Sequence, residues 1–235
     1  MNGLAAIGFD ADDTLWQNER FFRLTEARFV ALLEAHGEGP VLSRRLLEAE
    51  IRNLRYYGFG IKGFTLSMIE TALDVTEGRV DGAAIRAILD FGREMLDHPV
   101  ETLPYAREVL EGLKGRVRLI LVTKGDLFDQ ERKLAASGLG EFFDAVEIVS
   151  DKLPATYERI FRRHGEGAGR ALMVGNSLKS DILPALAAGA FAVHVPHELT
   201  WDYERAEAPA DHPRFRAIAD LSGLDAAIAE LLAAQ

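Results

Sequence analysis

A chain of 235 residues with 48% hydrophobic and 27% charged side chains is long enough for one large α/β domain, or for a core carrying a smaller insertion, and is too apolar to be disordered. Its net charge of −10 disfavours nucleic acid and anionic membrane surfaces as partners, since both ask for basic side chains. The absence of cysteine excludes disulfides, thiolate zinc sites and a cysteine nucleophile; no basic leader before the first apolar run and no apolar stretch near the roughly 20 residues of a membrane span disfavour secretion and membrane insertion, and a cytoplasmic protein is expected.

Leu4 to Phe9 is a short, uncharged, mostly apolar run, the pattern of a strand buried on both faces of a parallel sheet, and it stops at Asp10-Ala11-Asp12-Asp13-Thr14. Ligands of open α/β sheets gather at the carboxyl ends of strands. In extended backbone Asp10 and Asp12 point to the same side. Two such carboxylates repel, so either one pKa rises or a hard cation such as Mg²⁺ sits between them. The pair suits phosphoryl transfer, one carboxylate attacking to form an aspartyl-phosphate and the other trading protons with the leaving group and then with water. An Asp-rich turn capping the next helix would use the same residues, so the rest of the chain decides.

Phe21, Phe22, Thr25, Phe29, Leu32 and Leu33 recur at helical spacing and predict a helix ending near Gly37. A second helix is expected over Leu42 to Leu54. After the aromatic and glycine-rich turn Tyr56-Tyr57-Gly58-Phe59-Gly60-Ile61-Lys62-Gly63-Phe64, further helices are expected at Thr65 to Leu73 and Ala83 to Leu96. Four helices without a strand exceed an ordinary βαβ crossover. Residues 16–99 therefore read as an inserted helical domain, with 1–15 and 100–235 as the core.

From Pro104 strands and helices alternate. Helices are expected at Tyr105 to Leu113, Leu127 to Ser137, Pro154 to Phe161, Ser180 to Ala188 and Leu224 to Leu232. Strands are expected at Val117 to Thr123, Ala145 to Ser150, Ala171 to Gly175 and Phe191 to Val195, with Phe215 to Ala219 as a last edge strand. This is the order of a doubly wound, mainly parallel, Rossmann-like α/β core. His194, His197, His212 and Trp201 are too loosely spaced for a zinc site and read as loop residues.

Three of these strands end in groups suited to a phosphate: Thr123 with Lys124, Lys152 ahead of a helix, and Asn176 and Asp181 around a glycine turn. In this order and spacing the chain resembles the haloacid dehalogenase superfamily of hydrolases. Asp10-Ala11-Asp12-Asp13-Thr14 matches its first motif, Thr123 its second, Lys152 its third and Gly175-Asn176-Ser177-Leu178-Lys179-Ser180-Asp181 its fourth. The resemblance implies that Asp10 attacks phosphorus, Asp12 is the acid/base, and Thr123 and Lys152 hold the phosphate. It also implies that Asp10, the Asp12 carbonyl, Asn176 and Asp181 hold Mg²⁺, and that a helical cap follows motif one.

Asn176 departs from the Asp usual in the family's phosphatases and moves the chain toward its dehalogenase branch. Asp12 pulls the other way, because displacing halide needs no proton. The expected function is a Mg²⁺-dependent phosphatase acting on a small phosphorylated metabolite; a 2-haloacid dehalogenase and a catalytically silent binding module are the alternatives. Lys124 is a rival to Lys152 as a phosphate ligand and equally reads as a solvent-facing lysine. Trp16 and Lys62, with Tyr56, Tyr57, Phe59 and Phe64, are the expected substrate contacts from the cap; packing aromatics and a solvated lysine would leave the same trace.

Overall fold

The computed structural model describes residues 3–234; Met1, Asn2 and Gln235 of the expected core lie outside the described residues. Among the described residues the chain forms two compact units, each taken by itself here. The sheet unit comprises the chain up to Glu19, Val100–Lys124 and everything from Gln130 onward. The helical unit comprises Arg20–Pro99 and Gly125–Asp129.

The sheet has six strands, all parallel: β1 (Ala6–Phe9), β2 (Arg118–Lys124), β3 (Ala145–Val149), β4 (Ala171–Gly175), β5 (Phe191–His194) and β6 (Phe215–Ala217), in the spatial order β3-β2-β1-β4-β5-β6. The chain first builds outward from β1 to β3 and then returns to the other side of β1 at β4. That reversal opens a crevice at the carboxyl ends of β1 and β4, where open α/β sheets bind ligands.

Alternation along the strands sorts side chains onto the two faces. Ile7, Phe9, Leu119, Leu121, Leu172 and Val174 pack with Leu110 and Leu113 of α5 (Ala106–Leu113) and with Leu224, Ile228 and Leu231 of α9 (Leu224–Ala233). Ala6, Ile120, Val122, Ala171 and Met173 pack with Tyr157, Ile160 and Phe161 of α7 (Pro154–His164) and Ala185 of α8 (Leu183–Ala187). Both faces are covered, which is why the strands read as continuous apolar runs. No helix among the described residues is long and apolar enough to cross a membrane.

The helical unit contains α1 (Glu19–Leu32) beyond its first residue, α2 (Gly39–Tyr57), α3 (Ile61–Val75) and α4 (Gly82–Asp97). Phe29, Leu33, Leu42, Leu46, Phe64, Met68 and Ile88 form its core. Helix α3 starts at Ile61, four residues earlier than the apolar spacing predicts. Gly58 and Gly60 have φ of 68° and 112°, conformations that glycine adopts cheaply, so the chain reverses within the short Gly58–Gly60 link. Lys62 is therefore in the first turn of a helix instead of a loop, and Phe64 is a core residue packed on Phe22 at a ring separation of 5.1 Å.

The helix expected at Ser180 to Ala188 is divided. Leu178–Ile182 form a π-helical turn, and α8 follows. Helix α6 (Leu127–Ser137) follows the expected bounds.

Candidate active site

Asp10 continues β1 by one residue, its N–H donating to the Val174 carbonyl at 2.9 Å. Its side chain is 9% exposed. The Lys152 ammonium, buried at the base of α7, donates to Asp10 Oδ1 and, at 2.6 Å, to Asp181 Oδ1. The Tyr157 hydroxyl reaches from α7 to the Ser180 carbonyl at 2.9 Å, supporting the backbone that carries Asp181. Burial first, and the charge of Asp181 second, push the Asp10 carboxyl up to about 7 against the lowering pull of Lys152. Burial lowers the pKa of Lys152, but the two carboxylates outweigh it and raise the value. With Asp10 ionised, two carboxylates around one ammonium leave this buried cluster one negative charge in excess.

Asp181 is fully buried, and Gly175 makes room for it. A Cβ on Gly175 would lie 2.3 Å from Asp181 Oδ2, so only glycine lets the strand end close over the carboxylate. The Ser177 N–H donates to the same Oδ2 at 2.9 Å, and the Ser180 N–H to Ser177 Oγ at 3.0 Å. Thr14 ties this loop to the first one. Its hydroxyl accepts from the Asn176 N–H at 3.0 Å and lies 3.3 Å from both Asp10 Oδ2 and Asn176 Oδ1. One hydroxyl proton cannot serve two acceptors, so one of those oxygens keeps a lone pair uncommitted.

Asp12 belongs to a second cluster. Oδ1 accepts from Trp16 Nε1 and Lys133 Nζ, both at 2.7 Å; Oδ2 accepts from Gln130 Nε2 at 2.8 Å and Lys133 Nζ at 2.9 Å. Burial alone would raise the pKa of Asp12. Lys133, by charge and hydrogen bond, with Gln130 and Trp16 outweighs burial and holds the carboxyl below its usual range. Gln130 also donates to the Lys124 carbonyl at 3.2 Å, linking the acid/base candidate to the end of β2.

Trp16 is thus not a surface for substrate. It is fully buried in the sheet core, because the turn in which Thr14, Leu15 and Trp16 N–H groups all return to the Ala11 carbonyl folds it inward. Thr123 is 1% exposed near the end of β2. The Lys124 ammonium donates to Ser180 Oγ at 2.7 Å and to Glu204. Lys62 lies in the helical unit, half-exposed, with both Asp126 oxygens at 3.0 Å. His194 meets the Asn176 carbonyl at 2.9 Å, and His197 meets Leu199 O and Gln17 Oε1.

The structure therefore brings Asp10, Lys152 and Asp181 together, adds Asn176 through Thr14, and seats Asp12 separately. Lys133 and Gln130 were not anticipated, although their spacing of three places them on one face of α6. Glu204 carried no signal at all.

The donor set suits Mg²⁺, which takes hard oxygen ligands and is commonly held by one or two carboxylates. Among the described residues no group of three or more His, Cys, Asp or Glu gathers as a metal cage. The oxygens that the structure links here are those of Asp10 and Asp181, through Lys152, and of the Asn176 amide, through Thr14. The excess negative charge and the uncommitted lone pair at Thr14 both favour a cation there.

A model of the haloacid dehalogenase-like hydrolases matches residues 4–189. The chain is 28% identical over 222 residues to a glyceraldehyde 3-phosphate phosphatase of Methanothermobacter thermautotrophicus, spanning 89% of this chain and 90% of that protein. It is 31% identical over 200 residues to the N-acylneuraminate-9-phosphatase of Rattus norvegicus, spanning 80% and 81%. The crystal structure of a haloacid dehalogenase-like hydrolase from Xanthomonas campestris superposes with a TM-score of 0.88 at 41% identity, covering 98% of this chain and 93% of that one. With the strand order, the four motif-bearing strand ends and these relatives in agreement, the chain belongs to the haloacid dehalogenase-like hydrolases.

Proposed function

We infer that this protein is a Mg²⁺-dependent phosphatase that hydrolyses a small phosphomonoester through an aspartyl-phosphate on Asp10. The observation that supports this best is the buried Asp10 at the end of β1, sharing the Lys152 ammonium with Asp181. A carboxylate so placed is oriented for attack, and the ammonium beside it can hold a phosphate oxygen.

In the first step Asp10 bonds to phosphorus, the ester P–O bond breaks and the leaving oxygen takes a proton from Asp12. Water then attacks the acyl phosphate and gives a proton to the Asp12 carboxylate, releasing phosphate and restoring Asp10. Asp12 rests in the ionised form that the second step requires. Its protonated form is disfavoured by Lys133, so esters with poor leaving groups are expected to turn over slowly. The Thr123 hydroxyl and Lys152 hold the phosphate oxygens; Lys124 is left out of this set because its ammonium is engaged by Glu204 and Ser180. Mg²⁺ held by Asp10, Asn176, Asp181 and the Asp12 carbonyl would supply charge that offsets repulsion between Asp10 and the phosphate dianion.

Dehalogenation has no use for a carboxylate seated as Asp12 is, which favours the phosphatase reading. In the same reading the helical unit is the cap that selects the substrate, through exposed Tyr56, Tyr57 and Lys62. The relatives are named for glyceraldehyde 3-phosphate and N-acylneuraminate 9-phosphate, so both compounds head the substrate panel.

The test is phosphate release from an aryl phosphate and from that panel. Turnover is expected with Mg²⁺, is expected to vanish with EDTA and in Asp10→Asn, and a beryllium fluoride adduct is expected on Asp10. An adduct elsewhere, or halide release from 2-haloacids without any phosphate release, overturns the reading.

A further inference from the structure

Between β5 and β6 the chain leaves the sheet, and this excursion runs along the loops that carry the candidate site. His197 Nε2 lies 3.1 Å from Gln17 Oε1, just after motif one, and 3.7 Å from Asp13 Oδ1 within it. Lys179, in the fourth motif, donates to the Tyr203 carbonyl at 2.8 Å and stands 3.3 Å from the Tyr203 ring centroid. Trp201 packs on that ring at 4.9 Å. The segment is therefore fastened by contacts that do not involve Glu204.

Glu204 itself points inward, with only 11% of its side chain exposed. Oε2 accepts from Ser177 Oγ and from Ser180 Oγ, each at 2.5 Å, and Oε1 accepts from Lys124. Burial would raise the pKa of Glu204, but Lys124 and the two serines outweigh it and lower the value. A solvated loop acid would need none of these donors. Ser177 caps the π-helical turn Leu178–Ile182 and Ser180 lies within it, each next in sequence to one of the oxygen donors assigned to the cation, Asn176 and Asp181.

The charges explain why an acid is useful here. With Asp10 ionised, as it is when it ligates a cation, Asp10, Asp181 and Lys152 together keep one negative charge in excess. Lys124 brings a second ammonium to Ser180, the residue beside Asp181. Unopposed, its charge would cancel that excess and repel a dication.

We propose that Glu204 is a positioning residue that offsets the charge of Lys124, pins its ammonium to Ser180, and so keeps the Asp10, Asn176 and Asp181 oxygens negative enough to hold a divalent cation. This rests on the metal-dependent reading above. Glu204 touches neither substrate nor cation; it acts through Lys124, Ser177 and Ser180.

The test is substrate-free. The full-length protein is titrated with Mn²⁺, followed by the paramagnetic resonance signal of the free ion, with circular dichroism to verify that each variant is folded. Glu204→Gln, which keeps the shape and an oxygen acceptor, is expected to raise the half-saturating Mn²⁺ concentration about threefold or more. Lys124→Gln is expected to lower it, because Glu204 then stands uncompensated. The double variant Lys124→Gln/Glu204→Gln is expected to return to within about twofold of wild type, since it removes the pair without changing the net charge.

A role confined to anchoring the loop moves all three variants in the same direction, or moves none, and either result overturns the inference. Should Glu204→Gln fail to fold, the sign of the Lys124→Gln shift still decides it. Wild type that binds Mn²⁺ and releases phosphate, with Glu204→Gln indistinguishable from it, sinks this inference alone. Wild type that neither binds Mn²⁺ nor releases phosphate sinks it together with the phosphatase reading.

Discussion

Replacing Gly175 by alanine tests the packing on which the candidate site depends. The added methyl would lie 2.3 Å from Asp181 Oδ2, 2.4 Å from its Cγ and 2.6 Å from its Cβ, whereas non-bonded heavy atoms settle at about 3.5 Å. The carboxylate must retreat by roughly 1 Å. It has no slack, because Lys152 and the Ser177 N–H hold its two oxygens at 2.6 and 2.9 Å. Overpacking costs about 1–3 kcal/mol, and a weakened hydrogen bond to a charged group about 1.5–3 kcal/mol. The expected loss is therefore about 2.5–6 kcal/mol, read as a lower urea midpoint at unchanged slope, with phosphate release falling in parallel. Gly82→Ala is the control: it sits in the first turn of α4 with nothing within 4 Å of the new methyl, and is expected to be neutral or stabilising by up to about 1 kcal/mol. If Gly175→Ala matched wild type in midpoint and turnover, the close approach of strand end and carboxylate would not be what shapes this loop.

Asp12→Asn is expected to slow formation of the aspartyl-phosphate much more for alkyl esters than for aryl esters with acidic leaving groups; equal losses in single-turnover experiments would remove Asp12 as the proton donor. Asn176→Asp adds a negative charge among the oxygens proposed to hold Mg²⁺ and is expected to lower the Mg²⁺ concentration for half-maximal rate, while Asn176→Ala raises it; coincident titration curves would make Asn176 a turn residue only. Lys133→Met strips a largely buried carboxylate of its cation and is expected to cost about 3 kcal/mol in thermal unfolding. A melt unchanged from wild type would mean that solvent already compensates Asp12.

What the residues disclosed in advance followed from periodicity and strand ends. Asp10, Thr123, Lys152 and Asp181 lie where apolar runs stop, so β1 to β4 and the groups at their ends could be read together. Trp16 misled because an aromatic just after a carboxylate cluster looks the same whether its turn opens outward or, as the Ala11 carbonyl ensures, closes onto the core. Lys62 was misplaced because glycines were taken to extend a loop, while Gly58 and Gly60 end one helix and start another within a few residues. Lys133 and Gln130 share a helix face that amphipathic spacing marks only as polar. Glu204 lies in irregular chain after β5, where no period exists, and its partners come from segments up to 80 positions away.

The strand order also bears on how the chain is made. Strand β1 leaves the ribosome first, but its two neighbours in the sheet begin only at Arg118 and Ala171. At roughly 5–20 residues per second, the apolar ribbon Ala6–Phe9 waits several seconds or more with both edges unpaired, and it stays open on one side until β4 is synthesised. Such an edge recruits other strands, so a nascent chain stalled before Ala171 would present an adhesive segment with Asp10 already on it and neither Lys152 nor Asp181 properly seated. Asp10 is thus synthesised well before Lys152 and Asp181, the two groups that surround its carboxylate.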